Sequence, residues 1–261
     1  MIYLIAVFIF ALAFSARWNW WRKKTEGVAI LMYHKTGDPP AGSKLKKLWV
    51  SRKKFDAQMA YLKNKGYEVI TFKDIAEGRV MDGAKKVVIT FDDGYRNNYT
   101  EAFPVLQKYG FKAVFYVVSS TIGKKNLWHD ADIEQPLEMM TAPDIKEMSA
   151  AGMEIGGHTV SHKNLSRLDD AEAEREIAEN KEELEKLTGD TALSFSYPYG
   201  GYSGKVKQIV SNAGYRYAVI IKQGKNAFPF SDNFVLRRLL VRGEESIFDF
   251  YLNLSRGRNR L

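Results

Sequence analysis

Short runs rich in β-branched and aromatic residues recur at residues 28–33, 87–91, 113–118, 153–155, 193–197 and 217–221. Their apolar positions follow one another with little polar alternation, so each reads as a buried strand. Helical periodicity fills the intervals. Phe55, Met59 and Leu62 share one face of residues 55–65, which stop at Gly66. Asp169, Asp170, Ala171 and Glu172 form a capping-box pattern, opening a helix that runs to Leu187 with Gly189 just beyond. This alternation predicts an α/β domain around a parallel sheet, open or closed into a barrel.

Ahead of the first strand, residues 2–16 are an unbroken, mainly apolar run followed by Arg17, Trp18, Asn19, Trp20, Trp21, Arg22, Lys23 and Lys24. Trp and Lys/Arg in this arrangement favour a membrane interface. The expectation is an N-terminal hydrophobic signal or anchor helix with a basic, Trp-rich flank over residues 1–24, and one folded domain over residues 25–261. The run is short of the roughly 20 residues that a span needs, and counting through Trp21 reaches that length. A cleaved signal peptide, with Ala11-Leu12-Ala13 as its small-residue site, is one alternative. A buried hydrophobic helix is another. No Lys or Arg precedes the run, so the positive-inside rule would leave the body in the cytoplasm, whereas a short N-terminal hydrophobic run commonly serves as an export signal.

Composition narrows the field. A chain of 261 residues, 45% hydrophobic and 27% charged, suits one domain and excludes disorder and collagen-like repeats. The absence of cysteine removes thiolate nucleophiles, Cys-ligated zinc and iron–sulfur clusters, so any metal site must be built from His, Asp and Glu. The net charge is +8, yet residues 17–54 hold eleven Lys/Arg against two acids, leaving 28 against 29 in residues 55–261. A body so balanced argues against nucleic acid as a partner. The basic belt is read as the membrane flank.

The polar residues that invite chemistry lie at the C-terminal ends of the predicted strands: His34, Asp92 and Asp93, His158, and Tyr199 with Gly200. In parallel α/β barrels that rim gathers the catalytic groups. Adjacent carboxylates at Asp92 and Asp93 repel one another unless a cation or donor neutralises one, which invites a metal, although Asp-Asp-Gly alone is more often a turn than a site. His158 and His162, four residues apart, meet on one face of a helix or tight turn and can hold one ion; Gly156-Gly157 is read as letting the backbone turn off its strand. With Asp93 they make a two-His, one-carboxylate set with open positions for water and substrate. Trp128 and His129 are read either as a sugar-binding rim or as a loop without a role, and Tyr95 as either bordering the site or packing in the core.

These residues resemble the polysaccharide deacetylases of carbohydrate esterase family 4. Thr90-Phe91-Asp92-Asp93-Gly94 looks like the family's first motif, His158 to His162 its His-x-x-x-His motif, and Ser196-Tyr197-Pro198-Tyr199-Gly200 its Arg-x-Pro-Tyr-Gly-like loop. Two features depart from the common pattern. Ser196 stands where many members carry an Arg that orients the catalytic aspartate, and no His follows His162 to supply the general acid. Leu31-Met32-Tyr33-His34 resembles the permuted poly-N-acetylglucosamine deacetylase branch, whose acid His comes from the N-terminal strand. Leu236-Arg237-Arg238-Leu239 resembles that branch's Leu-Pro-Arg-Ile segment, making Arg238 the candidate replacement for the missing Arg.

The resemblance implies a distorted (β/α) barrel behind the N-terminal anchor helix, and metal-dependent removal of N-acetyl groups from an N-acetylglucosamine polysaccharide or peptidoglycan. Asp93, His158 and His162 would hold a divalent metal, zinc by default with cobalt or nickel as alternatives. Asp92 would be the base, His34 the acid, Arg238 the group that orients Asp92, and the Tyr199 backbone N–H an oxyanion donor. Since such polymers lie outside the cell, the body is expected membrane-anchored at the surface or secreted. A cytoplasmic-facing deformylase or deacetylase of a lipid-linked amino sugar is the alternative, and an inactive glycan-binding relative a third.

Overall fold

The computed structural model describes residues 1–18, 23–80 and 82–257, with only the backbone at 16–18. Its strands are β1 (Ala29–Tyr33), β2 (Lys35–Thr36), β3 (Trp49–Val50), β4 (Glu68–Val69), β5 (Lys86–Phe91), β6 (Val114–Val117), β7 (Glu154–Gly157), β8 (Ser194–Ser196), β9 (Tyr217–Gln223) and β10 (Leu236–Leu240). All six predicted strands form. The pairing order β1-β10-β9-β8-β7-β6-β5 returns to β1, so seven parallel strands close a barrel, and the open-sheet alternative is excluded. Short β4 pairs with the first residues of β5, beneath the stretch that pairs with β6. Strands β2 and β3 form a separate pair.

The helices are α1 (Ile2–Trp18), α2 (Arg52–Asn64), α3 (Phe72–Ala76), α4 (Phe103–Tyr109), α5 (Ala142–Ala150), α6 (Asp170–Thr188), α7 (Gly204–Asn212) and α8 (Ile247–Arg256). Helix α2 buries Phe55, Met59 and Leu62 as its periodicity predicts, and adds Gln58, which accepts from the Tyr33 hydroxyl at 2.8 Å. Helix α6 ends on Gly189 in the left-handed conformation, where glycine carries no Cβ penalty. At its start only half of the predicted box forms. The Asp169 side chain accepts from Glu172 N, while the Glu172 carboxylate pairs with Lys163 instead.

Helix α1 forms where the apolar run places it, with side chains exposed from Met1 to Leu12. That exposure overturns the buried-helix alternative. At 1.5 Å per residue its 17 residues reach about 25 Å, below the ~30 Å of a hydrocarbon core. No helix among the described residues is long and apolar enough to cross a membrane. The extension counted through Trp21, and with it Trp20 and Arg22 of the flank, lies outside the described residues.

The basic belt divides. Lys23 and Lys24 lie just ahead of the barrel, Lys24 lining a pocket with Lys225 and Phe228, whereas Lys44 to Lys54 are carried by the folded body, on the segment that runs through β3 into α2. One membrane flank therefore does not account for the whole surplus.

Candidate active site and metal centre

Parallel strands end together, and this common end collects the site. His34 follows β1, Asp92 and Asp93 follow β5, His158 follows β7, Tyr199 lies just past β8, and Arg238 sits within β10. The bond from Asp92 N to Tyr33 O, 3.0 Å, continues the β1–β5 ladder by one step and sets His34 beside the aspartates.

Asp93 Oδ1 lies 3.2 Å from His158 Nε2 and 3.3 Å from His162 Nε2, and the three ligand atoms fall within 4.8 Å of one another in buried surroundings. Both imidazoles are oriented from behind: His158 Nδ1 meets Ser196 O at 2.6 Å, and His162 Nδ1 meets the Tyr199 hydroxyl at 3.1 Å. A proton on each Nδ1 leaves each Nε2 lone pair facing Asp93, the arrangement that metal-bound histidines use. Two imidazoles and one carboxylate therefore fit a divalent cation with coordination positions to spare. Burial would raise the Asp93 carboxyl; in the alternative state where the two Nε2 atoms carry protons and donate to Asp93, they outweigh burial and hold it well below the ordinary carboxylate range.

This geometry is strained. Asp93, Thr159, His162 and Tyr199 are four of the five non-glycine residues at positive φ among the described residues. Such residues persist only where neighbours over-determine them. The neighbours here come from α6. Asn180 accepts from His158 N through Oδ1 at 3.0 Å and donates to Val117 O and Thr159 O at 3.1 and 2.8 Å. One turn earlier, Glu176 takes Ser161 N at 2.8 Å and the Ser161 hydroxyl. Neither residue was picked out from the sequence. The available signal was a pair of polar residues, four apart, on the face of α6 that buries Ala173, Ile177 and Leu184.

The preceding glycines serve a different purpose from the one their sequence suggested. Neither Gly156 nor Gly157 has positive φ. A Cβ on Gly156 would lie 2.6 Å from the Tyr116 ring, and one on Gly157 would lie 2.0 Å from the Tyr215 hydroxyl. Close approach, not a turn, requires them.

Asp92 is clamped by Arg238, which donates from Nη1 to Oδ1 at 2.6 Å and from Nη2 to Oδ2 at 2.7 Å. Arg238 has no exposed surface. It reaches inward where β9 and β10 lose register: Leu236 pairs with Val219 but Arg238 with Gln223, and Arg238 Nε donates to Ile220 O at 3.2 Å. Bulges that re-aim a side chain are common beside active sites. Ser196, at the position of the missing motif Arg, accepts from Arg238 at 3.0 Å and faces Asp92 at 3.4 Å. Burial favours neutral Asp92, and the Arg238 charge and hydrogen bonds outweigh it, lowering the carboxyl below its ordinary value.

His34 is half-buried, and its Nδ1 has no hydrogen-bond partner among the described residues. Burial lowers its basicity, and the charges of Asp93 and Asp92 oppose that only in part. Tyr199, half exposed, packs its ring 4.7 Å from that of His162. On the loop after β6, Trp128 lies 4.3 Å from the His162 ring, and His129 Nε2 is 3.5 Å from the Tyr95 hydroxyl. Trp128 thus packs against a residue of the site, and Tyr95, fully buried, both packs in the core and borders the site beside Trp128 and His129.

A buried ion pair also supports this wall and escaped the sequence reading. Lys35, fully buried, meets Glu134, whose other oxygen accepts from Ser43 Oγ at 2.7 Å and Trp49 Nε1 at 2.9 Å. Lys35 Nζ also lies 4.8 Å from the centre of the Tyr95 ring.

Comparison with known proteins agrees with this architecture. The sequence model of the family described as polysaccharide deacetylase matches residues 79–218, more than half of the chain. YxkH of Bacillus subtilis (strain 168), assigned by name to the polysaccharide deacetylases, is 32% identical over 205 residues, covering 77% of this chain and 67% of that protein. The poly-β-1,6-N-acetyl-D-glucosamine N-deacetylase of Staphylococcus aureus (strain MRSA252) is 24% identical over 212 residues, 77% of this chain and 70% of its own. Among solved structures, the polysaccharide deacetylase BC0361 from Bacillus cereus superposes with a TM-score of 0.75 at 28% identity, covering 88% of this chain and 69% of that one.

Proposed function

Because the chain belongs to the polysaccharide deacetylase family, we propose that it hydrolyses N-acetyl groups from an N-acetylglucosamine polysaccharide of the cell surface, with zinc as the metal. The observation that carries this reading is a ready-made Asp93–His158–His162 set beside an Asp92 held ionised by Arg238. A divalent cation bound there supplies a nucleophilic water at neutral pH and polarises the acetamide carbonyl.

The remaining work falls to the protein's own groups. Asp92 takes the proton of the attacking water. Arg238 engages each carboxylate oxygen once, and each oxygen keeps acceptor capacity for that proton. The Tyr199 backbone N–H, presented by a left-handed residue, donates to the tetrahedral oxyanion. His34, set beside the two aspartates at the end of β1, delivers the proton that the departing amine needs. Tyr199 and Trp128, whose rings flank His162, offer apolar faces to the sugar. The body works on the outer side of the cytoplasmic membrane, with α1 at the bilayer.

The test is acetate release by the purified full chain, loaded with zinc, cobalt or nickel, from β-1,6- and β-1,4-linked N-acetylglucosamine oligomers and from peptidoglycan. Asp92→Asn is expected to lower turnover by about 10²–10⁴-fold with metal content unchanged, whereas His158→Ala loses both. On intact cells, added protease should destroy the activity. Turnover surviving in Asp92→Asn would remove Asp92 as the base, and protection on intact cells would place the body inside.

A further inference from the structure

We propose that residues 44–54 form a basic rim that binds anionic groups of the glycan beside the metal cleft, so that the preferred substrate is a polysaccharide bearing phosphate or carboxylate. This inference rests on the deacetylase reading above. Lys44, Lys46, Lys47, Arg52, Lys53 and Lys54 put six cations into eleven residues with no acid among them. The fold returns this stretch to the catalytic end. Lys35, next to His34, is the β-ladder partner of Trp49, and Trp49 Nε1 donates to Glu134 on the loop that sets Trp128 against His162.

The rim is poorly neutralised. Among the described residues, only Arg52 of the six has a carboxylate within ion-pair distance, Glu101 at 3.4 Å, and Lys54 turns to the Gly243 carbonyl. Lys44, Lys46, Lys47, Arg52 and Lys53 are exposed. Three of these cations occupy the first turn of α2, which has no acid, against the helix dipole. Lys46, Lys47, Lys54 and Trp49 line a cleft of about 350 Å³, with Asp38 and Glu244 as its carboxylates. Like charges this close lie within a Debye length, about 8 Å at physiological salt, and a polyanion relieves their repulsion.

Reaction chemistry favours an anionic polymer over a neutral one. Each acetyl group removed leaves an amine that becomes cationic, and a basic rim repels such a strand unless the polymer carries anions of its own. Placement favours a polymer over a bilayer. The chain coming from α1 enters the barrel at Gly27 and Val28, the end of β1 opposite His34, and a bilayer lying on the rim would cover the cleft.

The experiment compares the full-length enzyme with Lys44→Gln/Lys46→Gln/Lys47→Gln on three cell-wall preparations: intact, stripped of phosphodiester-linked polymer with hydrofluoric acid, and amidated at carboxylates with carbodiimide. Acetate release is followed from low to high NaCl. At low salt the wild type is expected to show a KM about ten-fold lower on intact walls than on the preparation lacking the recognised anion, a preference lost at high salt. The triple variant should lose that preference through KM and not kcat, and the stripped and amidated arms identify phosphate or carboxylate. Equal KM on all three walls, or a triple variant that keeps the preference, overturns the rim. Binding of labelled polyglycerol phosphate and of labelled hyaluronan, read by anisotropy, is scored without turnover. Rim-dependent binding with no acetate from any wall overturns the deacetylase reading alone. Capture of phosphatidylglycerol vesicles that depends on the three lysines, without polymer binding, overturns the polymer as occupant.

Discussion

Arg238 spends every donor it has. Its five N–H groups go to Ile220 O, Thr90 Oγ1, the two Asp92 oxygens and Ser196 Oγ, and its guanidinium lies 5.9 Å from the Tyr116 ring centre. Ser196 is small enough to leave room for a guanidinium arriving from β10, so an Arg 42 positions away in sequence reaches Asp92 beside it. Lysine cannot reproduce two parallel bonds to one carboxylate. Arg238→Lys is therefore expected to lower kcat more than ten-fold with metal content intact, as Asp92 loses its fixed orientation. Arg238→Met leaves a buried carboxylate unpaired and should cost about 3–5 kcal/mol in chemical denaturation. A lysine variant with wild-type kcat would show that charge alone, not the fork, positions Asp92.

At the level of elements, the buried strands and the helix faces were legible because each has a single period and a clear stop. Asp92, Asp93, His158 and His162 were legible because they sit in local motifs at strand ends, and their convergence follows from parallel topology. Strand β10 was only partly visible: Leu236-Arg237-Arg238-Leu239 holds two adjacent arginines, and nothing local says that one of them points into the barrel. The supports of the site were illegible for the same reason. Asn180 and Glu176 on α6, and Lys35 with Glu134 across 99 residues, are polar groups whose partners come from other elements. The Lys35–Glu134 pair joins the segment after β1 to the loop carrying Trp128 and His129. Lys35→Met strands a buried carboxylate and is expected to lose about 3–5 kcal/mol, whereas Lys35→Met/Glu134→Gln keeps an acceptor for Ser43 and Trp49 and should recover most of it. Urea denaturation of both variants decides this. A double variant no more stable than the single one would mean that the charge of Lys35, over the Tyr95 ring, is needed in its own right.

Across the whole molecule the two ends of the barrel handle buried charge in opposite ways. At the catalytic end the carboxylates are buried and held ionised by Arg238 and the histidines. At the other end Glu154 opens β7 and is buried, with no cation within ion-pair distance among the described residues. It accepts from Ser194 Oγ at 2.7 Å and Lys73 N at 2.9 Å, bonds that favour the ionised form, yet burial dominates and lifts its carboxyl to about 7. A folded-state pKa above the unfolded one means that the native protein binds more protons between roughly pH 4.5 and 7, so stability falls as pH rises through that window. The full change is on the order of 3 kcal/mol, since each pKa unit is worth about 1.4 kcal/mol. His34, His129 and His162, lowered by burial, act in the opposite sense, because the unfolded chain protonates them first and stability rises with pH as that difference disappears. The wild-type curve alone thus mixes the two effects, and the difference from Glu154→Gln separates them. That variant keeps a side-chain oxygen as acceptor and cannot ionise, so it should match the wild type near pH 5 and exceed it by about 3 kcal/mol at pH 8. Urea denaturation of both proteins at several pH values between 5 and 8 checks this. A difference that stays constant across that range would mean that Glu154 does not titrate there.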